Sequence, residues 1–310
     1  MKNVQAAWYN TPHMISLSKA QEIDGFLEAR LSGVDVTRIE IEKPTTTYCL
    51  ASTGEALAAS QSPASGQGSM IAIVPLFGTM MQHALLDYSS GGTSTDKLGA
   101  ELARLDANPQ VGSVILETHS PGGQVYGSFE LADQISQMKT RIVAVANSEM
   151  ASAALLVASA ADEVYATTSG SVGSIGVVMV HRDVSSAEQA AGIKTTVIAT
   201  PSAQAAGKPY EPLSNDVAME MRDETELTYF RFRNAVANHR GVGQETVEDE
   251  FGGGRMLSAT EAADVGLIDG VATKQEVIQR ERELLASPRK SGSSAANKNR
   301  LRVASTQLLP

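Results

Sequence analysis

The chain has 310 residues and a single cysteine, Cys49, so no intramolecular disulfide can form. A lone cysteine with no paired histidine signature reads as a small apolar residue, not a nucleophile. Aromatic residues make up 5% of the chain, with one tryptophan, and the core must therefore be built from aliphatic and small side chains. Positive charge is also scarce: 25 basic against 35 acidic residues leave a net charge of −10, which argues against broad nucleic-acid binding. The start, MKNVQAAWYNTPHM, has no apolar stretch of signal-peptide type. No uninterrupted membrane-length apolar run occurs. The nearest, Ile142 to Ala161, carries Asn147, Ser148 and Glu149 in its interior, so it is expected to be buried in protein and not to span a bilayer. There is no Gly-x-Ser-x-Gly elbow, no His-Glu-x-x-His helix and no phosphate loop of Walker type. The five histidines (His13, His83, His119, His181, His239) show no ligand spacing, so no metal site and no cofactor are expected. His119 is worth holding because it adjoins a glycine-rich stretch.

What is present is an alternation of apolar runs, glycine turns and amphipathic stretches. Met70-Ile-Ala-Ile-Val-Pro-Leu-Phe-Gly78 reads as a buried parallel strand, Thr95 to Asn108 as an amphipathic helix, and Val111 to Glu117 as the next strand. Ser120-Pro-Gly-Gly123 is expected to be a tight turn before a helix that runs to Met138. Further strands are expected at Glu163–Ala166 and Ile175–Val180, with a long helix over 215–239. This order predicts an α/β fold with a parallel sheet flanked by helices. A helix is also predicted over Ser18–Leu31. The Ser/Gly/Pro-rich stretch Ser60–Ser69 reads as a linker, and residues after 286 are basic, low in apolar content and without acids. Three regions follow: an N-terminal extension and linker at 1–69, a catalytic-type domain at 70–285 and a flexible basic tail at 286–310. The extension and tail are expected to be partly mobile and dispensable for folding.

The stretch Val143 to Gly176 looks like the centre of the chain. The strand Arg141–Ala146 is expected to end in the polar turn Asn147-Ser148-Glu149, followed by a small-residue helix over Met150–Ala161. Ser152 would then sit at a strand-to-helix junction. The first N–H groups of a helix have no partner inside it, so a serine there can combine a hydroxyl with free amide donors. The same residues equally describe a small-residue helix packed on a sheet with a capping serine. Gly173-Ser-Ile-Gly176 reads as a structural turn leading into a strand.

In order, Ser120-Pro-Gly-Gly-Gln-Val125, Ser152-Ala-Ala154 before Ala158-Ser-Ala-Ala-Asp162, Gly173-Ser-Ile-Gly176 and Gly266-Leu-Ile-Asp269 resemble the signal peptide peptidase A family. That family consists of Ser/Lys-dyad serine peptidases on a ClpP/crotonase-like fold. Ser90-Gly-Gly-Thr93, His181-Arg-Asp183 and Gly192-Ile-Lys-Thr195 resemble its phage branch, the protein C-like capsid-maturation proteases. The resemblance covers about Met70 to Ala272. It implies a serine endopeptidase acting on a polypeptide, with capsid or scaffold proteins as substrates, in the cytoplasm or procapsid of a bacterial host and as a homo-oligomer. It also implies Ser152 as nucleophile and the amides of Gly122, Gly123 and Ala153 as oxyanion hole. The family's lysine lies in a Gly-x-x-Lys segment before a Pro-aromatic step. Anchored on Pro209-Tyr210, that position holds Gln204, and Pro201 replaces the glycine. A glutamine amide cannot accept a proton near neutral pH. Lys208, four residues on, is the competing base, followed by His119. The chain is thus expected to be inactive or very slow. The alternatives are a catalytically dead scaffold or assembly protein on the same fold, a bacterial signal-peptide peptidase, and a crotonase-like thioester enzyme.

Overall fold

A computed structural model of the protein describes residues 8–31, 44–57, 70–83 and 92–287. The expected linker at 60–69, the loop residues 89–91 and nearly all of the expected tail lie outside them. In chain order the strands are β1 (His13–Ile15), β2 (Thr47–Leu50), β3 (Ala56–Leu57), β4 (Met70–Phe77), β5 (Met80–Met81), β6 (Thr93–Ser94), β7 (Val111–Ser120), β8 (Gly122–Gln124), β9 (Arg141–Ala151), β10 (Glu163–Ala166), β11 (Ser171–Gly173), β12 (Met256–Ser258) and β13 (Gly270–Val271). The helices are α1 (Leu17–Leu31), α2 (Thr95–Asp106), α3 (Ser128–Gln137), α4 (Ala153–Ser159), α5 (Ser185–Ala190), α6 (Asn215–Arg240), α7 (Gln244–Asp249), α8 (Ala259–Asp264) and α9 (Lys274–Ala286).

The main sheet has the spatial order β12-β11-β9-β7-β4-β2-β3, with β10 paired to β9 and β13 paired to β10. Its centre, β4-β7-β9, is parallel, as the unbroken apolar runs lead one to expect. The α2 helix starts at the N-cap Ser94, whose side chain accepts from the Lys97 amide, and buries Leu98, Leu102 and Leu105 on one face. Those residues join α3, α4 and the sheet in one large core that also holds Phe232 and Val236 of α6. All seven residues of α4 are buried, and its alanines let it pack closely on α3 and the sheet.

Several boundaries differ from expectation. Asn147-Ser148-Glu149 does not turn the chain; β9 continues to Ala151. The polar residues are taken up as an irregularity: Thr118 pairs with Ala146, while Ser120 already pairs with Met150. On its other edge β9 pairs β10 through 143–146 and β11 through 149–151, so the polar stretch lies where it changes partner. The helix after it is correspondingly shorter, 153–159 instead of 150–161. Ser120-Pro-Gly-Gly123 is likewise no free turn, because Gly122–Gln124 form a strand of a second, four-stranded sheet of order β1-β8-β5-β6. The predicted strand 175–180 is absent as a regular element and survives as one antiparallel bridge, His13 to Val178.

The described part of the expected extension is joined to the rest. Strand β2 pairs antiparallel with β4 and so widens the main sheet, and β1 pairs antiparallel with β8.

Candidate active site

Strands β7 and β9 end side by side, and the residues just past their carboxyl ends face one another, the place where parallel α/β sheets put their ligands. Ser152 is the N-cap of α4 and has φ 53°, ψ −116°, a region L-residues rarely occupy. Such strain, of order 1–3 kcal/mol, persists only where surrounding contacts enforce it. Here they do: the Ser152 amide donates to the Gly173 carbonyl at 2.9 Å, and its carbonyl accepts from Leu156 at 2.9 Å. The side chain is fully buried, and its hydroxyl lies 3.4 Å from the Gly176 carbonyl oxygen.

Gly122 lies against this junction. A Cβ there would stand 3.0 Å from the Ala153 nitrogen and 3.0 Å from the Ala151 carbonyl, and φ is +95°. Only glycine lets the two backbones approach this closely. Gly123 is hemmed in differently: a Cβ would sit 2.0 Å from the Met80 carbonyl oxygen. Ser120 organises the stretch, donating to the Gly78 carbonyl at 2.7 Å and receiving the Gly122 amide at 3.2 Å. The Gly122 amide is therefore already engaged. Ala153 opens α4, where the amide has no partner within the helix. Beyond Gly176 a shallow cavity of about 300 Å³ is lined by Ile175, Tyr229, Gly253 and Gly254 among others.

The structure thus brings Ser152, Ala153 and Gly122 together, with Gly123 one residue along β8. It does not bring the other candidates to the serine. Gln204 is exposed in a short 3-10 turn at Ser202–Ala205. Lys208 forms an ion pair with Glu211 at 3.0 Å. His119 is exposed, hydrogen-bonded to Ser148, with its ring edge-on to Phe77 at 6.2 Å between centroids. Among the described residues no lysine, histidine or carboxylate hydrogen-bonds the Ser152 hydroxyl. Nearby, burial pushes the Glu149 carboxyl above its ordinary pKa, with the His119 and Lys19 charges pulling it partly back. Among the described residues there is no group of three or more His, Cys, Asp or Glu that could hold a metal ion, and no helix is long and apolar enough to cross a membrane.

One contributor escaped the sequence. Strand β1 lies directly over the glycines, pairing Met14 with Gly123 and Ile15 with Gly122, and the Met14 carbonyl oxygen is 2.3 Å from where a Gly122 Cβ would be. Three residues, His-Met-Ile, carry no signal of a partner more than a hundred positions away.

The profile of peptidase family S49 matches residues 134–287, a span that contains β9, Ser152 and α4. The chain belongs to peptidase family S49. Among curated relatives, capsid assembly protease C of Escherichia phage lambda is 32% identical over 219 residues, 69% of this chain and 49% of that protein. The head-tail preconnector protein GP5 of Enterobacteria phage P21 is 28% identical over 257 residues, 80% of this chain and 50% of that one. Protease 4 of Salmonella typhi is 26% identical over 220 residues, 70% of this chain and 35% of that protein. The chain therefore spans about half the length of the two phage relatives. Among solved structures, a ClpP1 mutant from Listeria monocytogenes is similar with a TM-score of 0.43 and 15% identity, over 66% of this chain and 94% of that one.

Proposed function

We propose that this S49 protein is a serine endopeptidase of the phage capsid-maturation type, with Ser152 as nucleophile and the Ala153 and Gly123 amides as oxyanion donors, joined by the Gly122 amide once it leaves the Ser120 hydroxyl. Capsid or scaffold polypeptides in the bacterial host are its substrates, and it works as a homo-oligomer. The observation that carries the reading is the strained, fully buried Ser152 at the N-cap of α4, with Gly122 against Ala153. The identity to the phage capsid assembly protease supports the substrate class.

The Ser152 hydroxyl would add to a peptide carbonyl. The carbonyl oxygen would take negative charge beside the amides, and the serine proton would pass to a base. Collapse would break the C–N bond, the amine would leave with a proton, and water would then release the acyl group. Preorganised amides cost no reorganisation as that charge develops. A positioned base contributes about 10²–10⁴-fold, and Gln204, exposed and neutral, cannot supply it. As written, the chain is slow or inactive.

The test is intact mass over time of the purified chain with a capsid or scaffold polypeptide, run for the parent, Gln204→Lys, and Gln204→Lys combined with Ser152→Ala. Cleavage that rises at least a hundredfold in Gln204→Lys and vanishes in the double variant is expected. No cleavage in Gln204→Lys, with folding intact, would overturn the enzyme reading. It would favour a non-catalytic assembly protein, the second reading, which the lack of any basic partner on the Ser152 hydroxyl among the described residues supports. Strong parent activity lost in Lys208→Ala would make Lys208 the base.

A further inference from the structure

The groove beside Ser152 is walled by two backbone edges: Pro121–Gln124 on one side and the irregular segment Val178–Val180 on the other. The chain's own residues 10–16 lie between them. Toward the first edge, His13, Met14 and Ile15 pair antiparallel with Gln124, Gly123 and Gly122, and the Ser16 amide donates to the Pro121 carbonyl at 2.9 Å. Toward the second, the His13 amide donates to the Val178 carbonyl and the His13 carbonyl accepts from the Val178 amide, both at 2.9 Å, while the Asn10 amide donates to the Val180 carbonyl at 3.0 Å. A strand bonded on both edges is the arrangement an extended peptide adopts when it adds to a sheet. Its position relative to the chemistry is specific. The Met14 carbonyl is the group next to Gly122, and Gly122 is the residue packed on Ala153. Met14 is fully buried in the main core.

The remaining attachments of this segment are separate from that core. Trp8, Ile15, Ala20 and Leu27 form a satellite cluster, joined by Val178 and Val180 of the opposite edge. Further polar ties are Arg182 to Glu28 and to the Tyr9 hydroxyl, the Asn10 side-chain amide to the Gly207 carbonyl at 2.7 Å, the Asn10 side-chain oxygen to His181 at 3.1 Å, and the buried His13 Nε2 to the Trp8 carbonyl at 3.0 Å. The strand is held by buried side chains, Met14 and Ile15 above all, as well as by backbone bonds, so another strand can replace it when it restores the same bonds and fills the Met14 position.

Resting on the polypeptide substrate of the proposed function, we infer that residues 10–16 are an internal occupant of the substrate groove. They are a pseudosubstrate strand that an extended polypeptide with an unbranched apolar residue in the Met14 position must displace to reach Ser152. The strand therefore both blocks the site and reports its preference. Tethering gives it an effective concentration of about millimolar, so a free peptide competes poorly until the strand is released.

Two measurements on the full chain test this, and neither requires turnover. The first is hydrogen exchange of the parent. The amides of 13–16, 122–124 and 178–180 are expected to exchange together and at least tenfold faster than those of Ile115 and Val143 in β7 and β9. Exchange of 13–16 only at the rate of Ile115 and Val143 would overturn the inference, because the strand would then be a permanent part of the fold. The second is fluorescence anisotropy with a labelled decapeptide of sequence YNTPHMISLS. Met14→Asp puts a carboxylate where the core admits none and should expel the strand. The peptide is expected to bind this variant at least tenfold more tightly than the parent. Equal binding to both, or none to a Met14→Asp chain whose β7 and β9 amides stay protected, would overturn the inference. Displacement of the strand without any acylation of Ser152 in Gln204→Lys would sink the peptidase reading and leave this one standing.

Discussion

The two segments that should meet in a Ser/Lys dyad are built to opposite specifications. The Ser152 side is closed: β9 runs through the middle of the main sheet, α4 is buried at every position, and the serine backbone is held in a conformation it would not choose alone. The Gln204 side is open. Residues from Gly192 to Gln204 are exposed almost throughout, their one short regular turn is 3-10, and Lys208 faces a solvent-exposed glutamate. The difference teaches where chemistry can be lost cheaply. A change near Ser152 is a change to the core and costs stability. A substitution on an exposed turn costs almost nothing in folding, so residue 204 is free to vary while the fold around Ser152 persists.

The sharpest way to break the comparison is to crowd the closed side. Gly123→Val should destabilise the protein by about 3 kcal/mol or more, because its Cβ would fall 2.0 Å from the Met80 carbonyl, which is backbone and cannot swing away. The substitution is thus unsuited to probing the oxyanion hole without unfolding. A denaturation midpoint within error of the parent would show that the packing around β8 is looser than the close approach of Met80 to Gly123 implies.

Acid should also act on the closed side. His239 on α6 hydrogen-bonds Ser159 at the end of α4, and burial, helped by the Arg240 charge, lowers its pKa to about 4. With a folded pKa below the unfolded value near 6.5, the unfolded chain binds the extra proton first. The stabilisation is full above pH 6.5 and is lost as pH falls towards 4, by at most about 3 kcal/mol. His239→Gln should flatten that part of the stability–pH curve, measured by urea unfolding at pH 4 to 7. An unchanged slope would remove His239 as the cause.

The smallest effect belongs to the open side. Lys208→Ala removes an ion pair whose glutamate is largely exposed and should change stability by no more than about 0.5 kcal/mol. A larger loss would mean that the segment is anchored more firmly than its exposure implies.

The alternation of apolar runs with glycine and amphipathic stretches was enough to place β4, α2, β7, α3, β10 and α6 near their observed bounds, because each follows from a local period and a cap. Ser152 at a strand-to-helix junction was legible for the same reason. Asn147-Ser148-Glu149 was misread as a turn because a polar triple looks the same whether the chain reverses or bulges. The choice belongs to the partner strands, which change there from β10 to β11. The Gly122–Gln124 strand was hidden because a proline and two glycines argue for a turn, and only pairing with β1 and β5 makes a strand of them. Composition and element order were therefore decided by the sequence alone, since they depend on neighbours along the chain. Where β1 lies was decided by tertiary structure, because it is placed by backbone hydrogen bonds to Gly122–Gln124 and Val178, which any short sequence can make and none advertises.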